Sequence, residues 1–141
     1  MPQFVLNKGD AASAKWFDQL DDFTKGYVEV MFWLTVSRDS FSLSMLAPET
    51  RTKIIAECKD FQDSLPRDSL KRSALDLAYD YAAIEYDAHR AGIDLWLTRN
   101  GHGSGYWDRE LGAIGEDLTS AAHSAGSRDL YRGDDNRLYL E

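Results

Sequence analysis

Residues 94–109 hold the densest set of chemically active side chains in the chain. Glycines at alternate positions, 101, 103 and 105, allow the backbone to approach another group closely. Arg99, His102 and Arg109 add hydrogen-bond donors, and arginine binds carboxylates and phosphates with two parallel bonds. In a chain of net charge −8, this local basic cluster predicts a loop that binds a small anion or a partner. The residues assigned to that loop are Arg99, Asn100, His102, Ser104, Tyr106, Trp107, Asp108 and Arg109.

The same segment allows two other interpretations. Asn100-Gly101 is a favoured dipeptide for a tight hairpin turn, and the aromatic residues 106 and 107 would then only pack on helices. Direct catalysis by His102 is the other alternative, and it needs Asp94 or Asp108 to orient the imidazole. The phosphate loop of nucleotide hydrolases is excluded, because no Gly-Lys-Ser/Thr sequence occurs.

The run WLTRNGHGSGYWDR, residues 96–109, resembles the signature of a family of small proteins found mainly in bacteriophage genomes. The tail DLYRGDDNRLYL, residues 129–140, is similar to the tail of that family. Two departures are visible: Leu95 replaces the usual aromatic residue, and Asn136 replaces the usual glycine, although asparagine also tolerates a left-handed turn. The resemblance extends over residues 24–140 and implies phage origin. It also marks residues 94–109 as a special loop without naming a reaction.

Composition limits the class of protein. The 141 residues fit a single domain, 1–141, and 43% hydrophobic residues suffice for a core. The net charge of −8 argues against direct nucleic-acid binding and against a basic membrane-surface protein. The longest apolar stretch, 28–36, is shorter than the roughly 20 residues that cross a bilayer. No signal-peptide pattern is visible at the start, so we expect a protein of the host cytoplasm.

The sequence predicts neither a metal site nor a cofactor. The three histidines and the single cysteine have no spacing typical of metal ligands. Cys58 shares the apolar face of a predicted helix with Ile54 and Phe61, which is typical of a buried thiol in a protein core.

The hydrophobic pattern predicts an α+β fold of about four or five helices packed on a small antiparallel sheet of about three strands. The predicted helices are 11–20, 24–36, 48–65, 69–91 and 108–125, and the predicted strands are 93–98, 129–132 and 137–140. Asp10 is expected to cap the first helix and Pro48 to open the third. Gly92 and Gly126 are expected just past helix ends. The helix 24–36 is apolar around much of its circumference, so we expect it at the centre of the core.

Acidic and aromatic residues predict a partner surface. Asp76, Asp80 and Asp87 would share a face of the predicted helix 69–91, either as ordinary solvated surface or as a mimic of nucleic-acid phosphates. Four tryptophans and seven tyrosines exceed what a small core easily hides. We therefore expect some of them at a homodimer or partner surface, drawn from Trp16, Tyr79, Tyr86, Tyr106 and Trp107.

The leading hypothesis is a phage-encoded, non-enzymatic protein that binds and modulates or inhibits a host protein through this acidic, aromatic-bearing surface. A defence factor or a nucleic-acid-processing factor would be a suitable target. The alternative is a small ligand-binding or hydrolytic protein with an anion-binding loop at 99–109. A third hypothesis is a minor structural or assembly protein of the virion.

Overall fold

The computed structural model describes residues 5–35, 40–81 and 85–141. Within this part of the chain there are six α-helices and one two-stranded antiparallel sheet. The fold is therefore α+β, as predicted, but it is dominated by helices and its sheet has two strands rather than three. The helices are α1 (Ala11–Asp18), α2 (Asp22–Trp33), α3 (Pro48–Ser64), α4 (Ala74–Tyr79), α5 (Ala88–Arg99) and α6 (Ala113–Ser124). Short 3₁₀ helices lie at Leu43–Met45 and Tyr106–Asp108, and the strands are β1 (Leu130–Arg132) and β2 (Leu138–Leu140).

Local signals placed several helix ends correctly. The Asp10 carboxylate accepts the backbone N–H of Ser13 at 2.8 Å and caps α1. Pro48 occupies the first turn of α3, which ends before Pro66. Gly126 follows α6 with φ +78°, as expected of the residue after a helix. The last predicted residue of the second helix, Val36, lies outside the described residues.

Helices α2 and α5 cross closely at the centre of the molecule. Tyr27 and Val28 of α2 are fully buried, so the prediction of a central helix is confirmed. A Cβ atom at Gly92 would lie 1.8 Å from the Phe23 carbonyl oxygen, and one at Gly26 would lie 2.0 Å from the His89 carbonyl oxygen. Each glycine thus admits the backbone of the opposite helix. The prediction that Gly92 follows a helix is wrong, since it lies inside α5.

Two further predictions about this region are wrong. Residues 93–98 form part of α5 and not a strand, because a helix buried on several sides lacks a clear period of 3.6 residues. The single helix predicted over 69–91 is two elements, since Ser73 caps α4 and Asp87 separately caps α5. Only 74–79 of that stretch belong to α4, and 82–84 lie outside the described residues.

The C-terminal hairpin is bound to the start of α3. In the antiparallel pair β1–β2, Tyr131 lies opposite Tyr139, and Asn136 has the left-handed φ of +66° in the turn. The Thr50 hydroxyl donates to the Leu138 carbonyl oxygen at 2.8 Å, and the buried residue Leu138 packs in the core. In the described part of the chain, no helix is both long and apolar enough to cross a membrane.

Candidate functional site

Asp94 is the point around which the predicted loop is organised. Its side chain is 1% exposed and lies inside α5, and the Tyr86 hydroxyl donates to its Oδ2 at 2.7 Å. Arg109 donates from Nε and Nη2 to the same carboxylate at 2.8 to 3.1 Å. These charge-assisted bonds compensate a buried carboxylate. The hydrogen bond to Asp94 raises the pKa of Arg109, and burial together with the Asp94 charge raises the pKa of Tyr86.

Arg99 is equally engaged inside the protein. Its Nε and Nη2 donate to the carbonyl oxygens of Gly126 and Ala125, at 2.7 and 2.9 Å, where α6 ends. Its Nη1 donates to the Tyr27 hydroxyl at 2.9 Å and lies 3.5 Å from Glu57. The positive charge therefore stabilises the carbonyl end of α6. The guanidinium is buried, so it does not offer an open site to an external anion.

Tyr106 and Trp107 are neighbours with opposite environments. Tyr106 is fully buried, its hydroxyl donates to the Ala91 carbonyl oxygen at 2.7 Å, and its ring stacks on Phe61. Its backbone N–H donates to the Thr98 hydroxyl at 3.1 Å. Trp107 is 47% exposed, although one edge of its indole lies where a side chain at position 105 would otherwise stand. The glycine at 105 lets this ring lie against the backbone.

The remaining residues of the predicted loop lie in different surroundings. Asn100 bridges α5 to the later chain, since its Nδ2 donates to the Trp96 carbonyl and its Oδ1 accepts from Arg128 N–H. The pair Asn100-Gly101 ends a helix and is no hairpin turn, so that part of the interpretation is wrong, whereas Tyr106 does pack on helices as it expected. His102 is half-buried beside a cleft of about 260 Å³ that Asn100, Arg128 and Asp129 also line. Ser104 is half-buried, and Asp108 is exposed in the 3₁₀ helix instead of capping α6.

The alternative in which Asp94 or Asp108 orients His102 has no contact to support it in the described part of the chain. Among the described residues, no hydrogen bond or ion pair joins its ring to Asp94 or Asp108, and Asp94 is already surrounded by other donors. In the same part of the chain, no three His, Cys, Asp or Glu side chains are placed to hold a metal ion.

The predicted acidic face is distributed over separate elements. Asp76 binds the backbone N–H of Ser73 and pairs with Arg67 at 3.1 Å, so it serves as part of a helix cap. Asp80 follows α4, and Asp87 accepts the Arg90 N–H at the start of α5. Asp80 and Asp87 are exposed, but the three carboxylates do not share one helical face because the predicted helix is interrupted.

Two further residues complete the network: Glu57, which the sequence did not single out, and Tyr86, which was a candidate for a partner surface. Glu57 of α3 accepts from Arg128 Nε at 2.5 Å and lies near Arg99, which joins α3 to the end of α6. Its signal was a charge at helical spacing from the buried residues Ile54 and Phe61. The expectation of a surface position is wrong for Tyr86, which is buried because its hydroxyl donates to the buried Asp94 carboxylate.

No protein-family model matches the chain, and neither a curated protein nor a solved structure shows significant similarity to it.

Proposed function

We propose that the protein acts without catalysis by binding another protein, with Trp107 as an anchor of the contact. The observation that carries this proposal is that Trp107 remains 47% exposed while Tyr106 and Arg109 beside it are fixed by bonds within the chain. Tryptophan is enriched among the residues that contribute most to protein–protein binding. An exposed indole on a fixed support is well suited to such a role.

The support of Trp107 is held at both ends. On one side, Tyr106 is bound to Thr98 and Ala91 of α5. On the other, Arg109 is bound to Asp94 of the same helix. A side chain that is ordered before binding loses less conformational entropy when the partner arrives, which favours affinity.

Charge near Trp107 indicates the chemistry of the partner. Asp108 and Glu110 are exposed on either side of Arg109, and the chain as a whole carries a net charge of −8. We therefore expect an apolar pocket with a basic rim on the partner, because complementary charges speed encounter and fix orientation. Because the sequence resembles small phage proteins, the proposed target is a host protein. Trp107 and the acidic residues beside it would cover part of that protein's surface.

A second candidate is small-ligand binding in the cleft beside His102. The cleft combines Trp96 and Met31 with the polar groups of Asn100, His102 and Arg128. Mixed apolar and polar linings of this kind are typical of ligand sites. Hydrolysis is less well supported, since Arg99 and Arg109 already have internal partners.

The test is affinity capture from nuclease-treated host lysate by the wild type, Trp107→Ala and Tyr131→Ala. Tyr131 is the matched control, a 40% exposed aromatic residue on the C-terminal hairpin. We expect a host protein that the wild type and Tyr131→Ala retain and Trp107→Ala loses. The wild type and both variants should have the same melting temperature. Equal retention by all three, or no retained protein, contradicts the proposal. Thermal shift by nucleotides, abolished by His102→Ala, would instead support the second candidate.

A further inference from the structure

An apolar groove lies between α4 and α6 beside the end of α3. Its volume is about 610 Å³, and Leu65, Leu77, Ile114 and Ala121 contribute its apolar lining. Trp107 does not line it, so this groove is separate from the proposed anchor.

The loop 66–73 forms one wall of the groove and is tightly organised. Asp68 accepts the N–H groups of Leu70 and Arg72, each at 2.9 Å, and its Oδ2 also binds Arg72 Nε at 3.0 Å. Arg67 donates to the Lys71 carbonyl oxygen at 2.8 Å. At the tip of this loop Leu70 is 69% exposed. The exposed Leu70 is thus carried by a fixed loop between Asp68 and Arg72, two residues that line the groove.

Charges around the groove are complementary to each other. Arg67 and Arg72 pair within the chain with Asp76 and Asp68. Lys71 on the loop and Asp117 on α6 are both exposed, and within the described residues neither has an ion-pair partner. The unpaired positive charge of Lys71 lies next to Leu70 in the sequence, and the unpaired negative charge of Asp117 lines the groove.

We infer that the groove is occupied by a second copy of this chain, in a two-fold dimer that inserts each Leu70 into the groove of the other copy. A two-fold contact uses the same patch on both subunits, so the patch must complement itself. Leu70 and the groove belong to one patch, because the loop that carries Leu70 also lines the groove, and this satisfies the condition. The same arrangement brings Lys71 of each copy to Asp117 of the other, so every unpaired charge at the groove gains a partner.

The first test is sedimentation equilibrium of the full chain from about 1 μM to about 1 mM. The expected mass rises from 16.0 kDa to twice that value and stops there. We expect Leu70→Asp to weaken the dimer at least ~100-fold, because a two-fold contact loses the side chain twice. The control Ile55→Asp replaces a 40% exposed residue of α3 outside the groove and should leave the dimer unchanged.

The second test exchanges the two charges. Lys71→Glu and Asp117→Lys should each weaken the dimer about tenfold, and the double variant should restore it. Trp107→Ala should dimerise like the wild type, which separates this inference from the proposed function. A monomer at every concentration, masses that grow beyond the dimer, or a dimer that survives Leu70→Asp overturns the inference.

Discussion

The two arginines of the predicted loop illustrate what a single residue does and does not reveal. Arg109 binds a carboxylate through two nitrogens, whereas Arg99 binds the backbone carbonyl oxygens of Gly126 and Ala125. The carboxylate, however, belongs to Asp94 of the same chain and not to a ligand. The sequence could not show this, because the contact forms only when the segment that follows α5 folds back onto that helix.

Buried tyrosines give a prediction at the same scale. Burial raises the pKa of Tyr27, Tyr79, Tyr86 and Tyr106 above its ordinary value near 10. The folded protein keeps these hydroxyls neutral, so their contribution to stability is full below about pH 10 and is lost as the pH rises further. We expect the ultraviolet absorbance of phenolate to reach its full amplitude only when the protein unfolds in alkali.

The control for this titration is Tyr86→Phe, which removes one hydroxyl whose pKa is raised by burial and by the charge of Asp94. The variant should ionise one tyrosine fewer on alkaline unfolding. If all seven tyrosines titrated together near pH 10 in a still-folded protein, the four tyrosines would not be shielded from solvent as the structure has them.

Among the elements, α5 is where sequence and structure differ most. Asp10 and Pro48 located the starts of α1 and α3, because each acts on its own nearest neighbours. In α5 the apolar residues surround the helix, and the buried Asp94 looks like a polar position on a strand. Only the crossing with α2 explains why a helix forms there, and a crossing is not visible in a local pattern.

The crossing of α2 and α5 predicts a strong effect of Gly92→Ala. Its methyl group would overlap the Phe23 carbonyl oxygen, and both helices would have to separate. We expect the free energy of unfolding to fall by about 3 kcal/mol or more, measured by urea denaturation. The matched control is Gly103→Ala, where nothing lies within 4 Å of the added atom and the change should be below about 1 kcal/mol. Equal effects of both changes would refute the close approach.

For the whole molecule, the segment 94–109 connects the main helices. Arg99 joins α5 to the end of α6 and to Glu57 of α3, and Tyr106 packs against Phe61 of α3. The sequence identified this segment as special, and the structure gives it an internal role. Its remaining exposed aromatic residue is Trp107, on which the proposed partner contact depends.

We expect the charged residues of segment 94–109 to stabilise the fold and thereby to fix the position of Trp107. The most direct measurement is a double-mutant cycle of Asp94→Asn, Arg109→Met and the double variant, followed by urea unfolding. Because Asp94 is buried and bonded to two guanidinium nitrogens, we expect a coupling free energy of about 2 kcal/mol. A coupling below about 0.5 kcal/mol would show that Arg109 is free to serve an external ligand and would contradict the account.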